Sequence, residues 1–559
     1  MRSRQTGRPE PDWETRSLIA AEATAAAKAG LAVIRLCGEG AIALADRVFI
    51  FGPIRPLDMQ GRPLGSGKPG GSPADFSGGT SAELGLASDL GGPESPGAGR
   101  RSLLNLAGYQ AAYGHLREPE TGRVIDEAVV LIFRRPHSYT GEETVEFSVH
   151  GGRVSVRRLL ETLYRLGARA AEPGEFTRRA FMNGKLDLAQ AEAVAELIQA
   201  ESLRGQELAL SQLSGQFSAH FAALRQRLYQ LVAELEVGIE YPEHEDFDFE
   251  ERILPERLEA LNADLEVLCS SYRQGRASQE GLRVLLTGEA NAGKSSLLNY
   301  LSRRDLAIVT DIPGTTRDLL ESRCHLGGVS VRLTDTAGLR ESADPVERIG
   351  IARAREAMAE ADYVLRILDP EQLRGLQRDQ EARARLQADL EALSCPYSLV
   401  LNKQDLCGPA DEEALHRALH ELLPPGRRSQ ADNLPEPEAD QAAGRAAGLG
   451  GKPEIPETLL VSAHSGYGMA DLEAACAAVY ETLGGGQAAE LILHNERHYA
   501  LVLRALDLGR QLLKDLPGLP LDICSQGLQR MAEILAELSG EAVHEAVLDE
   551  LFSRFCVGK

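Results

Sequence analysis

The octet Gly288-Glu289-Ala290-Asn291-Ala292-Gly293-Lys294-Ser295 lies between the apolar run Val284-Leu285-Leu286 and Ser296-Leu297-Leu298. That order reads as strand, tight loop, helix. Out of context such an octet is compatible with an ordinary loop. At a strand-to-helix junction its backbone N–H groups can wrap the phosphates of a nucleotide. Lys294 is then placed to neutralise β and γ oxygens, and the Ser295 hydroxyl to ligate Mg²⁺.

Three further elements follow in the order a nucleotide domain requires. Asp335-Thr336-Ala337-Gly338 comes after the alternating strand-like Val329-Ser330-Val331-Arg332-Leu333. Asp335 can hold Mg²⁺ through water, and Gly338 lets a backbone N–H approach the γ-phosphate. Asn402-Lys403-Gln404-Asp405 comes after Ser398-Leu399-Val400-Leu401. The Asp405 carboxylate can accept from the N1–H and 2-amino group of guanine, where adenine would present a lone pair. Val461-Ser462-Ala463, followed by His464, is weak alone but is placed for Ser462, Ala463 and His464 to touch the base from a loop. Between the octet and Asp335 lies Thr310-Asp311-Ile312-Pro313-Gly314-Thr315-Thr316, in which Thr316 is the natural second hydroxyl ligand of Mg²⁺. Together these imply a P-loop GTPase domain with a doubly wound sheet, binding GTP and GDP. Position 339, where a glutamine would orient the attacking water, is Leu339. Glu347 is the nearest acidic candidate for that role, and its alternative is a solvated residue at a helix start.

Asn291-Ala292-Gly293-Lys294-Ser295-Ser296, the 310–318 loop, Asp335 to Arg340 followed by Val346-Glu347-Arg348-Ile349-Gly350, and the closing Phe555-Cys556-Val557-Gly558-Lys559 carry a resemblance. They resemble the bacterial and organellar tRNA modification GTPase family MnmE, also called TrmE, over nearly the whole chain. The resemblance implies K⁺ beside the phosphates, held by Asn291, Thr310, Ile312 and Thr315, where other GTPases use an arginine finger. It also makes Glu347 the water-orienting catalytic residue.

A chain of 559 residues has length for three or four domains. No run approaches 18 apolar residues and Met1 to Pro11 lack the apolar core of a secretory signal, so a cytoplasmic protein with no membrane span is expected. The 8 cysteines form no Cys-x2-Cys pair, so reduced thiols are the better reading than zinc or disulfides. A net charge of −23 argues against a protein that coats nucleic acid non-specifically, because phosphate binding is driven by counterion release onto Lys and Arg. Any tRNA contact must therefore come from a local patch or a partner.

The expected architecture is multidomain, α/β and α. Residues 1–185 read as a mixed α/β domain, interrupted at about 61–101 by a Gly/Ser/Pro-rich segment too poor in large apolar residues to fold. Val129 to Phe133 and the alternating Thr144 to Val149 read as its strands. From 186 to 280 the pattern is helical, with Leu210, Leu213, Phe217, Phe221, Leu224, Leu228, Leu231 and Leu235 forming one apolar stripe on a long helix. Leu528, Met531, Leu535 and Leu538 in 486–559 offer its partner stripe. This implies one discontinuous helical domain with the GTPase domain, 281–485, inserted in it. A second Gly/Pro/Ala/acidic insertion occupies about 425–456. The acidic run from Glu240 to Glu251 reads as a solvated bend at Pro242 rather than a cation site.

Ser138-Tyr139-Thr140-Gly141-Glu142-Glu143, Val149-His150-Gly151-Gly152 and the stretch from Pro173 to Asp187 resemble the family's N-terminal folate domain. That likeness assigns folate contacts to Arg35, Glu146, Lys185 and Lys559, for a 5,10-methylene- or 5-formyl-tetrahydrofolate. A pterin edge suits one bridging carboxylate, and its glutamate tail suits basic groups. Thr24-Ala25-Ala26-Ala27-Lys28-Ala29-Gly30 stands where the family carries Thr-Pro-Pro-Gly-x-Gly-Gly, a loop of different backbone freedom. Cys556 invites a nucleophile reading, but no base is near in sequence, and a tail docked on the folate domain is the competing reading. The resemblance further implies a homodimer, an FAD-dependent MnmG-type partner and modification of a tRNA wobble uridine. The alternative is a GTP-switched binding protein such as a ribosome-assembly factor, which needs neither Lys185, Glu146 nor the Phe-Cys-Val-Gly-Lys tail.

Overall fold

The computed structural model describes residues 17–25, 29–52, 101–200, 202–240, 253–289, 291–304, 321–335, 358, 360–407, 412–424, 455–483, 491–541, 543 and 545–558. Thr310 to Thr316, Thr336, Ala337, Gly338, Glu347, Lys559, most of both insertions and the 241–252 acidic run lie outside the described residues. The chain divides into two compact units, Met1–Ala191 with Val543–Lys559, and Glu192–Ala542.

In the first unit, strands β1 (Ile19–Glu22), β2 (Leu31–Cys37), β3 (Phe49–Phe51), β4 (Gln110–Arg117), β5 (Val124–Phe133), β6 (Thr144–His150) and β7 (Arg169–Ala170) form a sheet in the order β3-β4-β5-β6-β2-β1-β7. Alternation decides its two faces. Ala32, Ile34 and Leu36 of β2 and Val145, Phe147 and Val149 of β6 point into a core closed by the helices Ala41–Val48 and Arg153–Arg165. The residues between them face the other way, and on that face the antiparallel register sets Arg35 directly opposite Glu146. The open face also exposes Leu31, Tyr113 and Val129, the last two a direct cross-strand pair.

The last helix, Glu545–Ser553, belongs to this unit and not to the helical bundle that residues 486–559 suggest. Arg178 pairs with Asp549 at 3.0 Å, and Phe552 packs between Phe181 and Phe555. The tail then makes a bridge from Val557 to Pro173, and the Gly174 N–H donates to the Cys556 carbonyl at 3.4 Å. Gly558 has φ +100° and sits so close to β1 that a Cβ there would lie 2.2 Å from the Glu22 carbonyl. Only glycine meets both demands.

The second unit holds a helical bundle and a sheet. Helix Gln216–Glu240 buries Phe217, Phe221, Leu224, Leu228, Leu231 and Leu235 and packs on Leu521–Ser539, which supplies Leu528, Met531, Leu535 and Leu538. Leu254–Glu280 packs on Glu496–Asp515. The apolar stripe is not one helix, however. Leu203–Leu213 is a separate helix, broken from the next at Ser214 and Gly215 (φ +87°), and Leu210 is 47% exposed. A left-handed glycine ends the helix and turns the chain, which takes Leu210 off the buried line.

Strands β8 (Leu282–Gly288), β9 (Glu321–Leu326), β10 (Val329–Asp335), β11 (Tyr363–Leu368), β12 (Tyr397–Leu401) and β13 (Thr458–Leu460) form a sheet in the order β13-β12-β11-β8-β10-β9. All neighbours are parallel except β9, which pairs antiparallel with β10. Both faces are covered, one by a core that includes Leu297, Leu301, Leu472 and Val479, the other by one that includes Leu373, Leu386, Leu390 and Leu419. Burial on both sides explains why β8 and β12 carry the apolar runs Val284-Leu285-Leu286 and Leu399-Val400-Leu401 rather than a strict alternation.

Candidate functional site

Ligands of such a sheet bind outside the carboxyl ends of its parallel strands. Five of the loops that leave those ends carry the polar side chains of this site. After β8 the chain turns through Gly288 (φ +153°) and Asn291 (φ +67°) into Gly293 (φ +93°), and helix Lys294–Arg304 begins. Lys294 is 5% exposed, and its Nζ donates to the carbonyls of Gly288 at 2.9 Å and Glu289 at 2.7 Å. The ammonium is thereby held inside the loop's own ring of amides. At the end of β10, the Ser295 hydroxyl donates to Asp335 Oδ2 at 3.0 Å. A hydroxyl and a carboxylate brought together beside a phosphate loop form the oxygen donor set that Mg²⁺ prefers.

Asn402 follows β12 and is 1% exposed. Its Nδ2 donates to the Ala292 carbonyl at 3.0 Å and reaches that of Gly293 at 3.4 Å, while its Oδ1 accepts from the Ala463 N–H at 3.2 Å. One amide thus ties the phosphate loop to the loop after β13. Lys403 has φ +61°, and its Nζ donates to the Asn291 carbonyl at 2.7 Å. The Gln404 N–H donates to the Val461 carbonyl at 3.2 Å. Asp405 Oδ1 accepts from the Ser462 hydroxyl at 2.5 Å, and that hydroxyl oxygen accepts from the N–H groups of His464 and Ser465. The carboxylate is held by one oxygen, from the neighbouring loop that the Ser462 N–H closes on the Tyr467 carbonyl.

The structure therefore brings together Asn291, Ala292, Gly293, Lys294, Ser295, Ser296, Asp335, Asn402, Lys403, Gln404, Asp405, Ser462, Ala463 and His464. One acid at this edge is missed by the motif reading. Asp369, 9% exposed, follows β11, caps helix Pro370–Arg378 and pairs with Lys403 at 3.3 Å. Its signal was present in Asp369-Pro370-Glu371-Gln372, a capping box with proline at the first helical position.

In the first unit Arg35 donates to Glu146 Oε1 through Nε at 2.9 Å and Nη2 at 2.8 Å, the pair being about one-fifth exposed. The guanidinium lies 5.4 Å from the Phe176 ring centroid and 5.8 Å from that of Tyr139, and its Nη1 reaches the Gly558 carbonyl at 3.4 Å. Lys185 is exposed and its Nζ reaches the Pro136 carbonyl at 3.4 Å. Arg179, 2% exposed, bridges Glu142 and Glu175, each at 2.9 Å. Cys37 is buried beside Thr140, and desolvation, helped by the Glu142 charge, pushes its thiol up to about 11. At neutral pH that thiol is protonated and a poor nucleophile.

A family model described as MnmE helical domain matches residues 188–556, and one described as GTP-binding protein TrmE N-terminus matches 90–185. A tRNA modification GTPase MnmE of Geobacillus kaustophilus is 36% identical over 97% of this chain and 99% of its own length. The chain belongs to the tRNA modification GTPase MnmE family. Its MnmE relative in Symbiobacterium thermophilum is 38% identical, again over 97% of this chain and 99% of the relative, and that of Bacillus subtilis is 35% identical over 84% and 96%. The G domain of the T. maritima FeoB iron transporter aligns to 35% of the chain with a TM-score of 0.22, a likeness that carries no argument. As a member of the MnmE family the chain is a GTPase of tRNA modification, built from an N-terminal domain, a helical domain and a nucleotide domain. No helix among the described residues is long and apolar enough to cross a membrane.

Proposed function

We propose that this MnmE-family chain is a K⁺-dependent, cytoplasmic GTPase that works with an FAD-dependent MnmG-type partner. In this reading the two add an aminomethyl or carboxymethylaminomethyl group to C5 of a tRNA wobble uridine, with a tetrahydrofolate one-carbon donor. The observation that carries the GTPase half is the Asn402 amide, which locks the phosphate loop to the base-side loop and leaves Asp405 at the rim. Asp405 would read guanine, with Ser462 holding the carboxylate in place for it. Lys294 and the amides of 291–296 would cradle the phosphates. Ser295 and Thr316 would hold Mg²⁺, with Asp335 beyond them through water. Asn291, Thr310, Ile312 and Thr315 would hold K⁺, which supplies positive charge against the charge developing on the phosphates. Glu347 would orient the attacking water.

For the folate half, the support is an acid–base pair on the open sheet face with two aromatic rings and the C-terminal tail beside it. Glu146 would bridge the pterin edge, and Arg35, Lys185 and Lys559 would meet the folate's anionic groups. The folate supplies a carbon at the formaldehyde or formate oxidation level. Exposed Leu31, Tyr113 and Val129 on the same sheet face support a homodimer through this unit. Equilibrium dialysis of 5-formyl-tetrahydrofolate against the full chain tests this half. Saturable binding, weakened about tenfold or more by Glu146→Gln through loss of a charge-assisted bond, is expected. No saturable binding contradicts the folate reading.

A further inference from the structure

The acid that the motif reading misses has two jobs on two oxygens. Asp369 Oδ1 accepts from the N–H groups of Glu371 at 3.0 Å and Gln372 at 2.9 Å, and the Gln372 side chain returns a bond to the Asp369 N–H at 3.0 Å. That is a complete helix cap, and it uses one carboxylate oxygen. The other, Oδ2, is turned to Lys403 Nζ at 3.3 Å. The cap itself does not require a charge, since asparagine caps as well as aspartate and the helix dipole adds only about 0.3–1 kcal/mol for a carboxylate there.

Lys403 is the residue whose placement needs explaining. Its backbone is left-handed at φ +61°, where non-glycine residues are uncommon, and its four-carbon stem loses about 2 kcal/mol of rotamer entropy when fixed. Yet Nζ is drawn back to the Asn291 carbonyl at 2.7 Å, so the stem spans from the base-reading loop to the phosphate loop. Asn291 is itself left-handed at φ +67°. Asp369 supplies the opposite charge that holds the ammonium at that spot, and being only 9% exposed it does so in a partly desolvated setting where the attraction is strengthened. It is fixed in turn by the cap and by the strand end, where the Asn402 N–H donates to the Leu368 carbonyl at 2.9 Å.

We propose that Asp369 is a positioning residue of the guanine-nucleotide site, acting through Lys403 to hold the base-reading loop and the phosphate loop in one arrangement before nucleotide arrives. Preorganisation of this kind lowers the ordering cost of binding and so falls on affinity. The proposal rests on reading Asn402 to Asp405 as the base loop.

The test is a pair of substitutions in the full-length chain, read by fluorescence titration with labelled GDP and a non-hydrolysable GTP analogue. Asp369→Asn keeps the cap acceptor but replaces the facing charge with a neutral amide. It is expected to weaken GDP and the GTP analogue about tenfold alike, with the loss in turnover falling on KM for GTP rather than on kcat. In a Lys403→Met background the same substitution is expected to have no further effect, because its route is gone. Unchanged affinity in Asp369→Asn, or an equal loss in the Lys403→Met background, overturns the proposal. Asp405→Asn with xanthosine diphosphate is the separate control on the base loop. A switch of preference from guanine to xanthine upholds that loop whatever Asp369 does, and its absence removes the premise.

Discussion

Gly293 is a tight point of the candidate nucleotide site. It has φ +93°, and a Cβ there would lie 2.1 Å from Asn402 Nδ2, the atom that bonds the phosphate loop. Gly293→Ala must therefore either push out a buried amide or distort the loop. Losing one buried hydrogen bond costs about 1–3 kcal/mol, so GDP affinity should fall about tenfold to a hundredfold. Calorimetric titration of GDP checks this, and an unchanged affinity would mean that Asn402 does not organise the loop. At this scale the sequence is most legible where chemistry restricts the residue type. Lys294, Ser295, Asp335, Asn402 and Asp405 were all recognisable as candidates, because a nucleotide site would ask for one kind of side chain at each of those spacings, and the structure sets all five at one sheet edge. Asp369 was not, because an acid after a strand has many uses and only its neighbours in space show which applies.

The bundle's apolar stripes were legible as elements, since Phe217 to Leu235 and Leu528 to Leu538 recur at helical spacing and do pack together. The break at Ser214-Gly215 was misread because periodicity continues across it, and the glycine that ends the helix gives a local signal that a long stripe overrides. What closes the bundle was hidden, because it joins residues some 300 positions apart. Glu192 accepts from Arg497 at 2.7 Å and bonds the His498 ring at 2.6 Å, and Glu196 bonds His494 at 2.8 Å and Asn495 at 2.8 Å. Burial opposes the Glu192 charge, but the attraction of His498 and Arg497 outweighs it and holds the pKa down to about 2. His494 is likewise pushed down by desolvation but raised on balance by Glu196.

Signs follow from these directions. Glu192 contributes stability above its unfolded value near 4.5, and that contribution drains away as pH falls toward about 2. His494 contributes fully below 6.5 and loses its share as pH rises through its elevated folded value. Glu192→Ala leaves a buried cation without its partner, which should cost roughly 3–5 kcal/mol. Urea unfolding of the variant and parent checks the cost and its pH dependence: the gap should be fully present above about pH 5 and should shrink as pH falls through the acid range. A gap that is the same in acid as near neutrality would show that the buried pair does not carry the charge assigned to it.

At the scale of the whole chain, one polypeptide carries a guanine-nucleotide site in its second unit and an acid–base pair in its first, with its own C-terminus returned to that first unit. The tail's residue types carried part of the family resemblance, while its address, beside Pro173, Gly174 and Arg35, is a long-range fact that spacing cannot give. Relatives matching 97% of the chain make the two ends parts of one MnmE-family machine. The claim on which this account turns is that the nucleotide site draws its catalytic charge from a monovalent cation rather than from an arginine. Steady-state GTP hydrolysis by the full chain, in KCl and in NaCl at matched ionic strength, tests it most directly. The account predicts turnover at least about tenfold faster in KCl, as befits a missing transition-state charge. Equal rates in the two salts would contradict it.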